Sequence, residues 1–155
     1  MAKIPGNLQV IRGIAPAAGG SDIVGDYISL KYAHRLWVVF LVTQGNATKP
    51  TLSVMKANNV AGSGATAMTE TAKIYATLNC ATSDVLVKQI DAASFELDAA
   101  LADKLVVFEI DTAKLGSYKA IAAKISASNA ANIVSALYVV ESRYGSEVQP
   151  SMIVD

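Results

Sequence analysis

The sequence is short of nearly every residue that supplies chemistry or covalent cross-links. Cys80 is the only cysteine in 155 residues, so no intramolecular disulfide can form, and a buried, inert thiol is the default expectation. His34 is the only histidine, which excludes a His cluster for zinc and leaves any acid–base role solitary. Aromatics are 6% of the chain and much of its 52% apolar content is Ala, so the core has to rest on Ile, Val and Leu. Charge of one sign is missing too. Thirteen basic residues balance thirteen acidic ones with no basic block, which excludes the electrostatic footprint of a nucleic-acid or anionic-membrane binder and points to protein partners. No apolar run approaches the roughly 20 residues of a membrane helix, and the start, Met-Ala-Lys-Ile-Pro-Gly, lacks the pattern of a secretory signal. The expectation is a chain made and folded in a cytoplasm.

What the chain does have is alternation. From Lys119 to Tyr144 two runs flank Ser128 to Asn132, with Ile121, Ala123, Ile125 and Ala127 on one side of the first. Val134, Ala136, Tyr138 and Val140 share one side of the second, and the pair reads as a long β-hairpin. Tyr118, Ile121, Ala122 and Ile125 also sit at helical spacing, so the first run stays open between strand and helix. Further strands are expected at Leu8 to Ile14, Tyr27 to Tyr32, Arg35 to Gln44, Thr51 to Ala57, Lys73 to Asn79, Asp84 to Ile90, Ser94 to Leu97 and Lys104 to Asp111. The run Leu36 to Val42 reads as a central strand buried on both sides, with Trp37 in the core. Asp98 to Ala102 reads as a helical turn, and Gly62 and Gly64 as positive-φ loop positions.

Strands at about 8–12 residue spacing without a long amphipathic helix predict an all-β, antiparallel β-sandwich. One domain is expected at residues 27–144, with an N-terminal arm or lead-in at 1–26 and a C-terminal tail at 145–155. The apolar Met152, Ile153 and Val154 must dock either on the domain's own core or on a neighbouring subunit.

Each common catalytic constellation lacks a member, so the expectation is a non-enzyme with no cofactor and no metal. There is no Gly-x-Ser-x-Gly elbow, the Gly62-Ser-Gly64 loop lacks the Lys and hydroxyl of a phosphate-binding loop, and the acidic residues from Asp91 to Asp111 have no EF-hand spacing. Asn46-Ala-Thr48 matches a glycosylation sequon and is read as coincidence. Trp37 with Phe40, Tyr27 and Tyr32 is the one set that would suit a sugar-stacking platform. Ser126 to Asn132 and Asn46 to Lys49 read as polar loop tips.

Five stretches carry a family resemblance: Ala33-His34-Arg35 leading into Leu36 to Thr43, Gln44 to Thr48, the Ala57 to Ala65 loop, Ser126 to Tyr138, and Glu141 to Tyr144 followed by Pro150 to Asp155. Over nearly its whole length the chain resembles small virion proteins encoded near the major capsid protein in tailed bacteriophages. The resemblance implies a jelly-roll-like sandwich with extended terminal arms, acting as a capsid cement or decoration protein. Such a protein binds the outside of the head, bridges neighbouring capsomers and partners the major capsid protein, as a dimer or trimer of itself. The contact residues expected on this basis are Ile4, Leu8, Ile11, Met152, Ile153 and Val154. The other readings are a head-completion or tail protein, or a carbohydrate-binding module.

Overall fold

The computed structural model describes residues 4, 6–145 and 148–154. Its strands are β1 (Leu8–Ala18), β2 (Ile23–Val24), β3 (Ile28–Ser29), β4 (Ala33–Thr43), β5 (Thr51–Ala57) and β6 (Thr66–Ala67). They continue with β7 (Lys73–Thr77), β8 (Val87–Lys88), β9 (Ser94–Glu96), β10 (Asp103–Ile110), β11 (Ala120–Ile125) and β12 (Ile133–Ser142). A single 3-10 turn, Thr112–Leu115, is the one helical element among the described residues. Asp111 caps it by accepting from the Ala113 amide.

Two six-stranded antiparallel sheets form the sandwich. The first runs β1, β12, β4, β10, β7, β8. The second runs β2, β11, β5, β6, with β3 also on β11 and β9 also on β5. The pairing is nested: first strand on last, β2 and β3 on the last but one, β4 on β10, and β5 on β6 and β9. That is a long antiparallel ribbon rolled over on itself, the jelly-roll arrangement. The all-β, jelly-roll-like sandwich expected from sequence is what the chain forms.

Period-two alternation decides which side chains meet in the middle. Leu36, Val38, Phe40 and Val42 of β4 lie beside Val134, Ala136, Tyr138 and Val140 of β12, all almost completely buried. Facing them from the second sheet are Leu52 and Val54 of β5 and Ile121, Ala123 and Ile125 of β11. Phe40 and Phe108 meet edge to face, with ring centroids 5.3 Å apart.

Several sequence expectations change here. The Lys119 to Tyr144 segment is not a hairpin: β11 belongs to the second sheet and β12 to the first, and residues 126–132 carry the chain across. The first run is nevertheless a strand, which closes the strand-or-helix question. β4 is buried on one side only, and Trp37 lies half-buried on its outer side. Tyr27 to Tyr32 contracts to two strand residues, as does Asp84 to Ile90. Residues 98–102 form no helical turn, because Lys104 pulls them into an irregular loop by bonding Asp98. Cys80 is exposed. Asn132 is fully buried rather than a solvated tip, and its side chain takes the Asn46 amide at 2.8 Å and donates to the Thr48 carbonyl at 2.9 Å. Gly62 and Gly64 have φ of 77° and 64°, as a glycine loop requires.

The lead-in of residues 1–26 contains β1, an eleven-residue edge strand paired with β12 through two register shifts near Ile14. At the first shift Gly13 passes under the Tyr138 ring, where an added Cβ would sit 2.7 Å from Cζ.

Candidate assembly surface

The outward side of the first sheet is apolar to an extent the core does not require. Across the middle strands the rows read Val10, Val139, Trp37; then Leu137, Val39, Val107, Tyr75; then Leu41 and Leu105; then Ile133. Val10 is 50% exposed, Leu41 41% and Ile133 43%, and the others are half-buried by one another. Arg12, Lys73, Lys88, Glu109, Asp103, Arg35 and Glu141 fringe this area. Five strands at about 4.8 Å spacing and six residue steps at about 3.4 Å give a footprint of roughly 400 Å² before side-chain relief. That is the size of the largest apolar patch on a typical monomer, ~300–600 Å², a patch that is often functional. The second sheet's outer side is mixed, with Thr51, Ser53 and Lys124 beside Met55, Ala122 and Val24.

The terminal residues expected to make contacts fall into two groups. Ile4, Ile153 and Val154 are 64%, 57% and 63% exposed, and Leu8 is half-buried. Ile11 packs against the core, and Met152, 2% exposed, is part of it, with its carbonyl accepting from the Ser29 amide at 2.6 Å. The C-terminal tail therefore closes this domain's own core at Met152. The two termini also meet: the Gln149 side-chain amide donates to the carbonyls of Gly6 at 2.6 Å and Leu8 at 3.2 Å.

The polar groups are committed to structure. Lys104, fully buried, donates to Gln44 Oε1 at 2.7 Å and to Asp98 Oδ1 at 2.5 Å, tying the 98–102 loop to β4 and β10. The Lys104 hydrogen bond holds the Asp98 carboxyl below its usual range. Lys56 does the same for Glu70 across 2.6 Å, with its ammonium 4.5 Å from the centre of the Tyr118 ring. Sequence reasoning missed both ion pairs, because partners 6 and 14 residues apart in different elements leave no local signature. His34 is exposed on β4. Trp37 and Phe40 point to opposite sides of β4, so they form no joint sugar-stacking platform. Asn46 uses its side-chain oxygen on Thr48. Among the described residues no group of three or more metal-binding side chains converges.

No family model and no curated protein matches the sequence. Among solved structures, the SPBc2 prophage-derived protein YomS is similar with TM-score 0.52 at 10% identity, covering 92% of this chain and 99% of that one. Tobacco streak virus coat protein aligns over 97% of this chain and 96% of its own at 12% identity, but with a TM-score of 0.28 that carries no argument. At such identity the likeness to YomS is one of fold: this chain has the sandwich architecture of that prophage-derived protein.

Proposed function

We propose that this chain is a non-enzymatic structural protein of a phage virion, a cement or decoration protein that binds the outside of the head and bridges neighbouring capsomers. The observation that carries the reading is the broad apolar outer side of β1, β12, β4, β10 and β7 on a jelly-roll whose buried polar side chains are hydrogen-bonded within the domain. Such a face suits a lasting protein contact, and its setting in a net-neutral chain suits dense packing of copies on a lattice. Repetition of the shell then makes modest contacts collectively strong. The partners are the major capsid protein and further copies of this chain, as a dimer or trimer. Ile4, Leu8, Ile11, Ile153 and Val154, at the corner where the termini meet, form a second contact set. Met152 acts from beneath by anchoring the tail.

Co-sedimentation with expanded shells of the major capsid protein encoded beside it tests the reading. Saturable binding with many copies per shell is the expected result. Leu41→Lys with Ile133→Lys should cut occupancy about tenfold while leaving the fold intact, since exposed substitutions usually change stability by under about 0.5 kcal/mol. Absence of binding, or a handful of copies at one vertex of the virion, removes the cement role. Undiminished binding by the double variant moves the attachment away from this sheet.

A further inference from the structure

At one end of the sandwich a cleft of about 790 Å³ opens between the β3–β4 turn, the loop after β5 and the approach to β11. Lys31, Lys119 and Arg143 line it, and among the described residues no Asp or Glu does. Their convergence stands out against the rest of the chain. Arg35, Lys49, Lys56, Lys73, Lys88, Lys104 and Lys124 each lie within 4 Å of a carboxylate. The described cations without such a partner are Arg12, Lys31, Lys114, Lys119 and Arg143, so three of the five share one concavity. In a molecule of net charge zero, that makes the cleft a local positive potential.

The cleft is also built to stay in shape. The Leu30 amide donates to the Lys119 carbonyl at 2.8 Å, joining the walls that carry Lys31 and Lys119. Arg143 Nε donates to the Ala33 carbonyl at 3.1 Å, which fixes the guanidinium and leaves its terminal nitrogens for another acceptor. Asn59 adds a side-chain amide donor, its oxygen already accepting from the Ser63 amide at 3.1 Å, and Asn58 adds a second side-chain amide. The volume is within the roughly 300–1,000 Å³ of ligand sites and far exceeds what a single small anion fills. Nucleic acid fits less well. Its backbone calls for a long basic stripe, and the one aromatic of the cleft, Tyr118, already has Lys56 over its ring.

We propose that this cleft docks an acidic segment of a partner polypeptide, its carboxylates paired with Lys31, Lys119 and Arg143. The proposal concerns a different surface from the apolar sheet and holds whether or not that sheet meets a capsid.

Titration of the isotope-labelled protein with hexaglutamate, followed by amide chemical shifts at low and physiological salt, tests it. Shifts confined to residues 29–31, 58–59, 112, 116, 118–119 and 143 are expected, weakening with salt. Lys31→Gln with Lys119→Gln should lower the affinity at least about tenfold through two lost charge-assisted contacts. Arg12→Gln with Lys114→Gln, which removes two equally unpartnered cations outside the cleft, should leave it unchanged. Both pairs are exposed, and an unaltered spectrum away from the cleft certifies the fold. The proposal is overturned if hexaglutamate produces no localised shifts, if hexaglutamine produces the same ones, or if both double variants lose affinity alike. Tighter binding of tripolyphosphate or single-stranded DNA at these residues overturns it as well.

Discussion

Tyr138→Phe isolates the seam between the two sheets. β11 pairs with β2 at Lys124 and Ile125 and with β3 at Ala120 and Ile121, so its edge is bare of strand partners between them. The Tyr138 hydroxyl reaches across the core to that gap, accepting from the Ala123 amide at 2.8 Å and donating to the Asp26 carbonyl at 2.8 Å. Phenylalanine preserves the ring and its packing but leaves a buried N–H without a partner, and a carbonyl that has some access to water. At about 1–3 kcal/mol for each buried group left unsatisfied, and less for the wetter one, the loss should be about 2–3 kcal/mol. In a urea titration with an m-value near 2 kcal/mol/M the midpoint then falls by about 1–1.5 M, with m unchanged. The Ala123 amide should also exchange with solvent faster than its neighbours on β11.

A second signature of the same residue lies at high pH. Burial pushes the Tyr138 hydroxyl's pKa well above its ordinary 10. The folded state keeps its proton where the unfolded chain has lost it, so stability is full below pH 10 and falls as pH rises above it. The slope approaches about 1.4 kcal/mol per pH unit for one group. The Phe variant should lose that share and retain the share of Tyr27, whose hydroxyl is also raised by burial. A destabilisation under about 0.5 kcal/mol, a midpoint shift under about 0.25 M, with the alkaline slope intact, would refute the hydroxyl's role and point to water bridging the gap instead.

Other perturbations probe the same framework. Gly13→Ala places a Cβ 2.7 Å from the Tyr138 ring, and overpacking of about 1–3 kcal/mol should lower the melting temperature by several degrees in calorimetry. Lys104→Met should destabilise by about 1–3 kcal/mol, because Gln44 Oε1 loses its donor. That variant should also flatten the acid limb of the stability profile. The Asp98 carboxyl, held low by Lys104, contributes stability present above its unfolded pKa near 3.8 and lost as pH falls through its folded value. Identical acid limbs in urea melts between pH 2 and pH 6 would show that the pair adds nothing to folding.

Strand positions were legible in the sequence where a run extended for five residues or more, as in β4, β5, β7, β10 and β12, and alternation named the inner sides of β11 and β12, although β11 stayed open between strand and helix. The two-residue strands β2 and β6 were not, since so few residues cannot display a period. The hairpin reading of residues 119–144 failed for a reason inherent in that signal. Alternation states that one side of each run is buried, and it is satisfied equally by two strands side by side in one sheet and by two strands facing each other across a core. Asn132 decides between these, but only in three dimensions: with its side chain on Asn46, Thr48 and Ser128, it makes residues 126–132 a bridge between sheets. The placement of the terminal residues was partly legible. An apolar Met-Ile-Val tail does need a docking site, but residue types alone could not say that Met152 turns inward while Ile153 and Val154 stay exposed.

The same ambiguity hid the apolar outer side of the first sheet. A continuous run such as Leu36 to Val42 reads as a strand buried on both sides, and within this domain only one side is. Trp37, Val39 and Leu41 therefore contribute little to the core, although half of the run's apolar bulk lies with them. Folding needs an apolar side toward the second sheet; it gains little from a second one turned to water, where such a patch promotes association. Neighbouring strands repeat the pattern at Leu105, Val107, Leu137 and Val139, in register with β4. A single outward apolar residue is ordinary on any protein surface. Rows of them across adjacent strands, against an outer side of the other sheet where Thr51, Ser53 and Lys124 interrupt Val24, Met55 and Ala122, fit the proposed assembly, in which another molecule supplies the second covering layer of β4.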